Sequence, residues 1–322
     1  MFSINKATLL HYVTTAFAVL IAVGVAMPVA VCAGEPLRVV VSIAPLHSLV
    51  SGLLDGIGEP DLLMGANASP HGASLKPSQM RLLNRAQLVI RLGEQGDVFL
   101  NRPLKTLADK VEVAEMMAVP GLVLLPNRAP GIVGKQARHG SEPREHHAGE
   151  MDSHIWLDPK NAVRMVEAIA QRLVELDAPH AARYRVNQAQ LLKHLMRLDR
   201  ALAERLQGVA HNPYVVFHDG YQYFERRYQL HAVAALSTDP AHPVSARRLM
   251  RVRAEMKQVG VRCVFGERQF SAAYVDLLAE GGDISVGFLD PLGVGIAPGK
   301  TLYFTLMQRL ADAFVECLSQ AD

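Results

Sequence analysis

The sequence predicts an α/β protein of two lobes joined by one long helix, and three observations carry that reading. The chain has 322 residues, more than one core ordinarily organises and enough for two domains of roughly 150 residues each. Short β-branched runs alternate with helical patterns through both halves, as in mostly parallel sheets covered by helices on both faces. Between the halves, the 28 residues from 180 to 207 contain neither Gly nor Pro and repeat apolar positions at helical spacing. At about 1.5 Å per residue such a helix reaches about 40 Å, enough to run from one lobe to the other.

The N-terminus reads as an export signal occupying 1–33. Lys6 and His11 precede the apolar run AFAVLIAVGVAMPVAV, which Gly24 and Pro28 interrupt, and VCA before Gly34 places the cleavage after Ala33. The alternative is an uncleaved membrane anchor, against which the run is short and broken for a helix. Cys32 leaves with the signal, because Val31 stands where a lipoprotein signal normally carries a small residue.

LRVVVSIAP (37–45) is a β-branched run ended by Pro45, and LHSLVSGLLDGIG continues it as a helical pattern. A short strand ending in DLLM, a Gly/Asn/Ser/Pro loop, a helix from Pro77 and the strand QLVIRLG repeat the logic. VEVAEM adds another strand. Residues 126–153 carry Pro, Gly, His and charge without periodicity and are expected to form a surface loop. In DPKNAVRMVEAIAQRLVELD, Asp158 is placed to cap a helix and Pro159 to occupy its first position. The second half repeats the architecture, though not the sequence, with strands at YVVFHD, LHAVAALS, VRCVFGE and DISVGFLD. The expected organisation is an N-terminal Rossmann-like lobe (34–178, including the 126–153 loop), a linking helix (179–209) and a C-terminal Rossmann-like lobe (210–322).

Half of the residues are hydrophobic, a fifth are charged and the formal net charge is +2, so neither disorder nor a polyanion-binding surface is indicated and nucleic acid is not an expected partner. Without Cys32, Cys263 and Cys317 form an even pair in an exported chain, the setting in which disulfides persist. A bridge between them closes a long loop and is worth on the order of 4 kcal/mol in the chain-entropy picture. The alternative is two separate buried thiols; a catalytic thiol lacks the basic, helix-opening context it needs.

Ligands of open α/β sheets bind beyond the carboxyl ends of the strands. His71 follows PDLLM, His218 follows YVVF and Asp290 follows ISVGFL, so each stands at a strand exit. His154 stands where the long loop re-enters the fold beside Trp156. Neutral imidazoles suit Zn²⁺, whereas Mn²⁺ and Mg²⁺ lean on carboxylates and water. His71, His154 and His218 form a candidate zinc trio. Singly, each histidine is weak evidence, since no HExxH or CxxC spacing ties any two together. His47, His180, His194, His211, His231 and His242 are read as structural or solvated.

The segments SIAPLHSLV, ASPHGASLKPSQMRLLNRAQLVIRLG, HIWLDPKNA, VVFHDGYQYFERRYQL, CVFGERQF and LDPLG occur in the order found in periplasmic solute-binding proteins for zinc and manganese. Over the whole mature length the chain resembles the zinc-binding, ZnuA-type branch of that family. The resemblance implies a non-enzymatic periplasmic carrier that takes Zn²⁺ between two lobes and delivers it to an ABC permease and its ATPase at the inner membrane, as a monomer. Carried over by motif, the metal ligands are His71, His154 and His218, with Asp290 either a fourth ligand or an acceptor orienting a histidine ring while water completes the shell. Manganese-binding relatives place Glu where this chain has His218, so zinc is expected over a manganese or broad-specificity carrier. Pro70 stands where some zinc-type members carry an additional Glu ligand. HGASL stands where an acidic and an aromatic residue often follow the first histidine. In the loop before HIWLDP, His139, His146 and His147 among acidic residues form either an auxiliary zinc site or a solvated insertion. The rival from another class is an exported zinc hydrolase with Asp219 or Glu225 as general base; no motif places either on an attacking water.

Overall fold

The computed structural model describes residues 35–67, 74–107, 110–128, 131–133, 150–239 and 242–321. Strand β1 (Val39–Ile43) leads directly into helix α1 (Ala44–Leu53), whose first turn carries Pro45, where a missing N–H costs nothing. Strand β2 (Asp61–Met64), helix α2 (Pro77–Arg85), strand β3 (Leu88–Arg91), helix α3 (Val98–Leu107) and strand β4 (Glu112–Glu115) follow. These strands form a parallel sheet in the order β2-β1-β3-β4. β1 and β3 are buried along their whole length, which is why both are apolar apart from Ser42 and Arg91. Val39, Val41 and Ile90 face the main core, while Val40 and Val89 face Leu83 of α2 and Leu100 and Leu104 of α3.

The stretch expected to be a loop contributes to the second sheet. Leu125 to Asn127 pair with Glu150 to Asp152 through Asn127 N–H to the Glu150 carbonyl (2.9 Å) and Asp152 N–H to the Leu125 carbonyl (2.8 Å). Strand β5 (Gly131–Ile132) then pairs antiparallel with β7 (Ala232–Ser237). A two-residue strand has no periodicity to detect, and the edge of β7 supplies the donors and acceptors that hold it.

Helix α4 (Pro159–Leu176) begins as the sequence indicates: the Asp158 carboxylate accepts the Lys160 N–H (2.8 Å), with Pro159 at the first position. Helix α5 (Ala181–Leu206) is the linking helix, 26 residues and about 39 Å long. Tyr184, Asn187, Leu191, Leu195, Leu198, Leu202 and Leu206 are its buried stripe. Asn187 donates to the carbonyls of Leu53 and Asp55 (2.8 and 2.9 Å), satisfying groups at the end of α1.

The second sheet has the order β5-β7-β6-β8-β9, parallel apart from β5. Its elements after α5 are β6 (Tyr214–His218), α6 (Gln222–Tyr228), β7, α7 (Ala246–Val259), β8 (Cys263–Glu267), α8 (Ala273–Ala279), β9 (Ser285–Leu289) and α9 (Leu302–Leu318). Gly287 pairs with Phe265, and a Cβ there would lie 2.6 Å from the Phe265 ring, so only glycine admits this cross-strand approach. Val252 and Met256 of α7 and Val275 and Leu278 of α8 cover the outer face. The expected disulfide is present: Cys263 at the start of β8 joins Cys317 near the end of α9, with Cα atoms 5.9 Å apart.

The two lobes share a continuous apolar core running through α1, α4, α5 and α9. Polar contacts also cross it. Trp156 Nε1–H donates to the Pro291 carbonyl (2.8 Å), Tyr303 O–H to the Trp156 carbonyl (2.8 Å), and Tyr303 N–H to the Ser48 hydroxyl (2.9 Å). No helix among the described residues is long and apolar enough to cross a membrane.

Candidate metal centre

In the second sheet the chain proceeds from β6 to β7 on one side and to β8 on the other, so the strand order reverses between β6 and β8. A crevice opens beyond the carboxyl ends of strands at such a point. His218 is the last residue of β6 and Glu267 the last of β8. His218 Nδ1 donates to the Glu267 carboxylate (2.8 Å), and Tyr221 O–H donates to the same oxygen (2.7 Å). All three side chains are buried.

His154 enters the crevice from the other direction. It precedes a tight turn, Ile155–Leu157, whose three side chains are fully enclosed. Burial of Trp156 in the shared core therefore fixes the backbone one turn away from the imidazole. Its Nδ1 donates to Asp152 (2.6 Å), whose carboxylate also accepts the His154 N–H (2.9 Å) and Gln222 Nε2–H (2.6 Å). Tyr223 O–H donates to the Asp152 carbonyl (2.7 Å) and accepts the Leu125 N–H (3.0 Å), so α6 clamps the segment in place.

The two imidazoles meet edge to face, with centroids 5.0 Å apart. Gly220 makes room for them: a Cβ at that position would sit 3.1 Å from His154 Nε2 and 3.0 Å from His218 Cε1. Each ring gives its Nδ1 proton to a buried carboxylate, so the lone pair of each neutral ring lies on Nε2. Such carboxylate partners fix ring orientation and raise the basicity of a metal-binding nitrogen. Burial disfavours a charged His218, but the Glu267 carboxylate outweighs it and the proton affinity of His218 rises above the ordinary value. Burial likewise works against an ionised Asp152, yet the neighbouring His154 and its donors hold that carboxyl below the usual range.

Asp290, at the exit of β9, lies next to the Pro291 carbonyl that receives Trp156. Its Oδ1 accepts from Gln269 Nε2 (2.9 Å) and from the N–H groups of Leu292 and Gly293 (3.0 Å each), while Oδ2 accepts from Val294 N–H (2.5 Å). His71 of the expected trio, and His139, His146 and His147 of the loop, lie outside the described residues. Among the described residues no three His, Cys, Asp or Glu side chains converge as a metal-holding group; the fold brings together His154 and His218, each with its carboxylate. Three of the histidines read as structural have such roles: His47 is buried and bonded to the Pro60 carbonyl (2.9 Å), and His180 and His242 pair with Asp177 and Asp239.

Glu267, Tyr221 and Gln222 were not visible as functional residues in the sequence. Asp152 had a local signal, an acid two residues before a candidate ligand. Arg128 had none. Its guanidinium bonds Asp219 through Nε (2.9 and 3.0 Å) and through Nη2, and reaches Glu225 through Nη1 (2.8 Å).

Comparison with known proteins gives a consistent picture. The family described as zinc-uptake complex component A, periplasmic (ZnuA), matches residues 39–317. The high-affinity zinc uptake system protein ZnuA of Brucella suis biovar 1 (strain 1330) is 35% identical over 313 residues, covering 89% of this chain and 93% of that protein. A crystal structure of ZnuA superposes with a TM-score of 0.74 at 24% identity, covering 88% of this chain and all of that one. A zinc-bound ZnuA lacking residues 138–173 of its own numbering gives 0.73 at 25% identity, covering 88% and 98%.

Proposed function

The chain belongs to the periplasmic zinc-uptake component family, and from that premise we propose that it captures Zn²⁺ between its lobes and hands it to an ABC permease for high-affinity import. The observation that carries the reading is the pair of buried imidazoles at the switch point, each with its Nδ1 proton held by a carboxylate. His71, His154 and His218 serve as ligands. A fourth position is filled by Asp290 or by water; Asp290 would bind through Oδ2, because Oδ1 already accepts three donors. The protein acts as a carrier without catalysis, since Asp219 and Glu225, the candidate general bases that follow His218 in sequence, are both held by Arg128. It works as a monomer with a permease and ATPase at the inner membrane, after cleavage of the signal near Ala33. Lobes of 34–178 and 210–322, the first lending β5 to the sheet of the second, flank a linking segment of 179–209, within which α5 lies. His139, His146 and His147 supply either an auxiliary zinc site with fast exchange or a solvated insertion.

Occupancy favours whichever lobe arrangement binds zinc better, and the permease reads that arrangement. The test is metal analysis of the purified mature protein beside His71→Ala, His154→Ala, His218→Ala. One zinc per chain in the wild type and none in the triple variant is expected. A triple variant that keeps one tightly bound zinc refutes the site. Competition of Mn²⁺ against Zn²⁺ at the same site separates the zinc carrier from a manganese or broad-specificity one.

A further inference from the structure

The carboxylates that hold the two imidazoles, and Asp290 at the exit of β9, are all engaged. Asp152 is taken by His154 and Gln222, Glu267 by His218 and Tyr221, and Asp290 by backbone N–H groups and Gln269. Asp219 and Glu225 are different. They follow His218 on the turn into α6 and on α6 itself, their side chains are 2% and 5% exposed, and both face the guanidinium of Arg128. Asp219 is close enough for its charge to act on His218. Arg128 comes from neither β6 nor α6. It is delivered by the ribbon that pairs Asn127 with Glu150.

We propose that Arg128 is a specificity-determining residue, a resident cation that occupies the Asp219–Glu225 pair and thereby keeps the metal centre imidazole-rich. The inference rests on the zinc-binding reading above. Carboxylate oxygens favour harder cations such as Mn²⁺, whereas imidazole nitrogens suit Zn²⁺. A planar guanidinium matches the geometry of a carboxylate and satisfies several of its lone pairs at once. While Arg128 is seated, Asp219 has no reason to turn toward an incoming metal. Without it, two buried carboxylates stand side by side with no counter-charge, a state that costs several kcal/mol and that either a shared proton or a divalent cation relieves. Asp219, one residue from His218 and next to Gly220, is the group placed to bring that cation into contact with the imidazoles.

The test measures dissociation constants for Zn²⁺ and Mn²⁺ by competition with a chelator, on the mature wild type and on Arg128→Met and Arg128→Gln. The Gln variant keeps a hydrogen-bond donor to Asp219 and supports folding if the Met variant does not. The expected result is a fall of about tenfold or more in the Mn²⁺-to-Zn²⁺ ratio of dissociation constants, the size of effect seen when a partner of a metal ligand is lost. The triple variant Arg128→Met, Asp219→Asn, Glu225→Gln removes all three charges and is expected to restore the wild-type ratio. An unchanged ratio in a folded Arg128 variant, or an equal fall in the triple variant, overturns the proposal. A wild type that binds neither cation overturns the zinc reading itself, and this inference with it.

Discussion

Replacing Glu267 by Gln removes a charge from beneath the metal centre while keeping the shape of the side chain. In the wild type one carboxylate oxygen accepts both His218 Nδ1–H (2.8 Å) and Tyr221 O–H (2.7 Å). A Gln oxygen can still accept a hydrogen bond, so the ring keeps its orientation and loses the negative charge that makes Nε2 a better donor. Loss of such a partner lowers metal affinity by about 10- to 100-fold, or about 1.4 to 2.8 kcal/mol. The assay is a chelator competition titration at pH 7.5, with circular dichroism of the apo protein to establish that the variant folds. The variant also changes the pH response. Burial alone would lower the proton affinity of His218, and Glu267 raises it past the ordinary value. Protons therefore compete with zinc in the wild type from somewhat above pH 6.5 downward. In Glu267→Gln burial is less opposed, so competition begins at lower pH and the affinity falls less between pH 7.5 and 6. A dissociation constant within twofold of wild type at pH 7.5, or a steeper acid loss than wild type, refutes the argument.

Other consequences are measurable in the same way. Asp97 is fully buried, and its desolvation, opposed by the Leu92 N–H, raises its pKa from 3.8 to about 6. The folded state therefore binds its proton more tightly than the unfolded one, and stability falls as pH rises through that window. Asp97→Asn should gain at most about 3 kcal/mol in urea denaturation at pH 7.5 and almost nothing at pH 4. Changing Cys263 and Cys317 to Ser opens a loop with a sequence separation of 54 and should cost about 4 kcal/mol in the same assay. Zinc affinity should hold, since Glu267 is at the opposite end of β8; a large loss of affinity would count against that separation. Trp156→Phe leaves the buried Pro291 carbonyl without its donor and should cost about 1 to 3 kcal/mol in denaturant titration. No change there would mean that the bond contributes nothing.

The elements that were legible in the sequence are those whose cause is local. Asp158 and Pro159 announce the start of α4 because capping and a fixed φ act over a few residues. The apolar residues that dominate β1 and β3 announce strands buried on both faces. His154 stands out because IWL beside it has one plausible destination, the core. The link between Glu267 and His218 depends instead on the register of β6 against β8, with Tyr214 opposite Cys263 and Val216 opposite Phe265. Nothing within 49 residues of sequence encodes that juxtaposition. Arg128 and β5 escaped for the same reason, since a charged residue in an aperiodic stretch acquires meaning only from what the fold sets opposite it. The resemblance to zinc carriers supplied the histidines but not the groups that hold them.

The bonds joining Trp156, Pro291, Tyr303 and Ser48 bear on how quickly cargo can leave. Rotating the lobes apart as rigid bodies would break these three contacts together, at about 1 kcal/mol each. With the bonds that tie Asp152 and Arg128 to α6 and the turn before it, that holds a fully opened form below about one molecule in a hundred before any loss of apolar burial is counted. Spontaneous escape by gaping is thereby made rare, and unloading is left to whatever acts directly on the short segments at the strand ends. For the carrier proposed above, slow spontaneous release and unloading that depends on docking are the expected consequence.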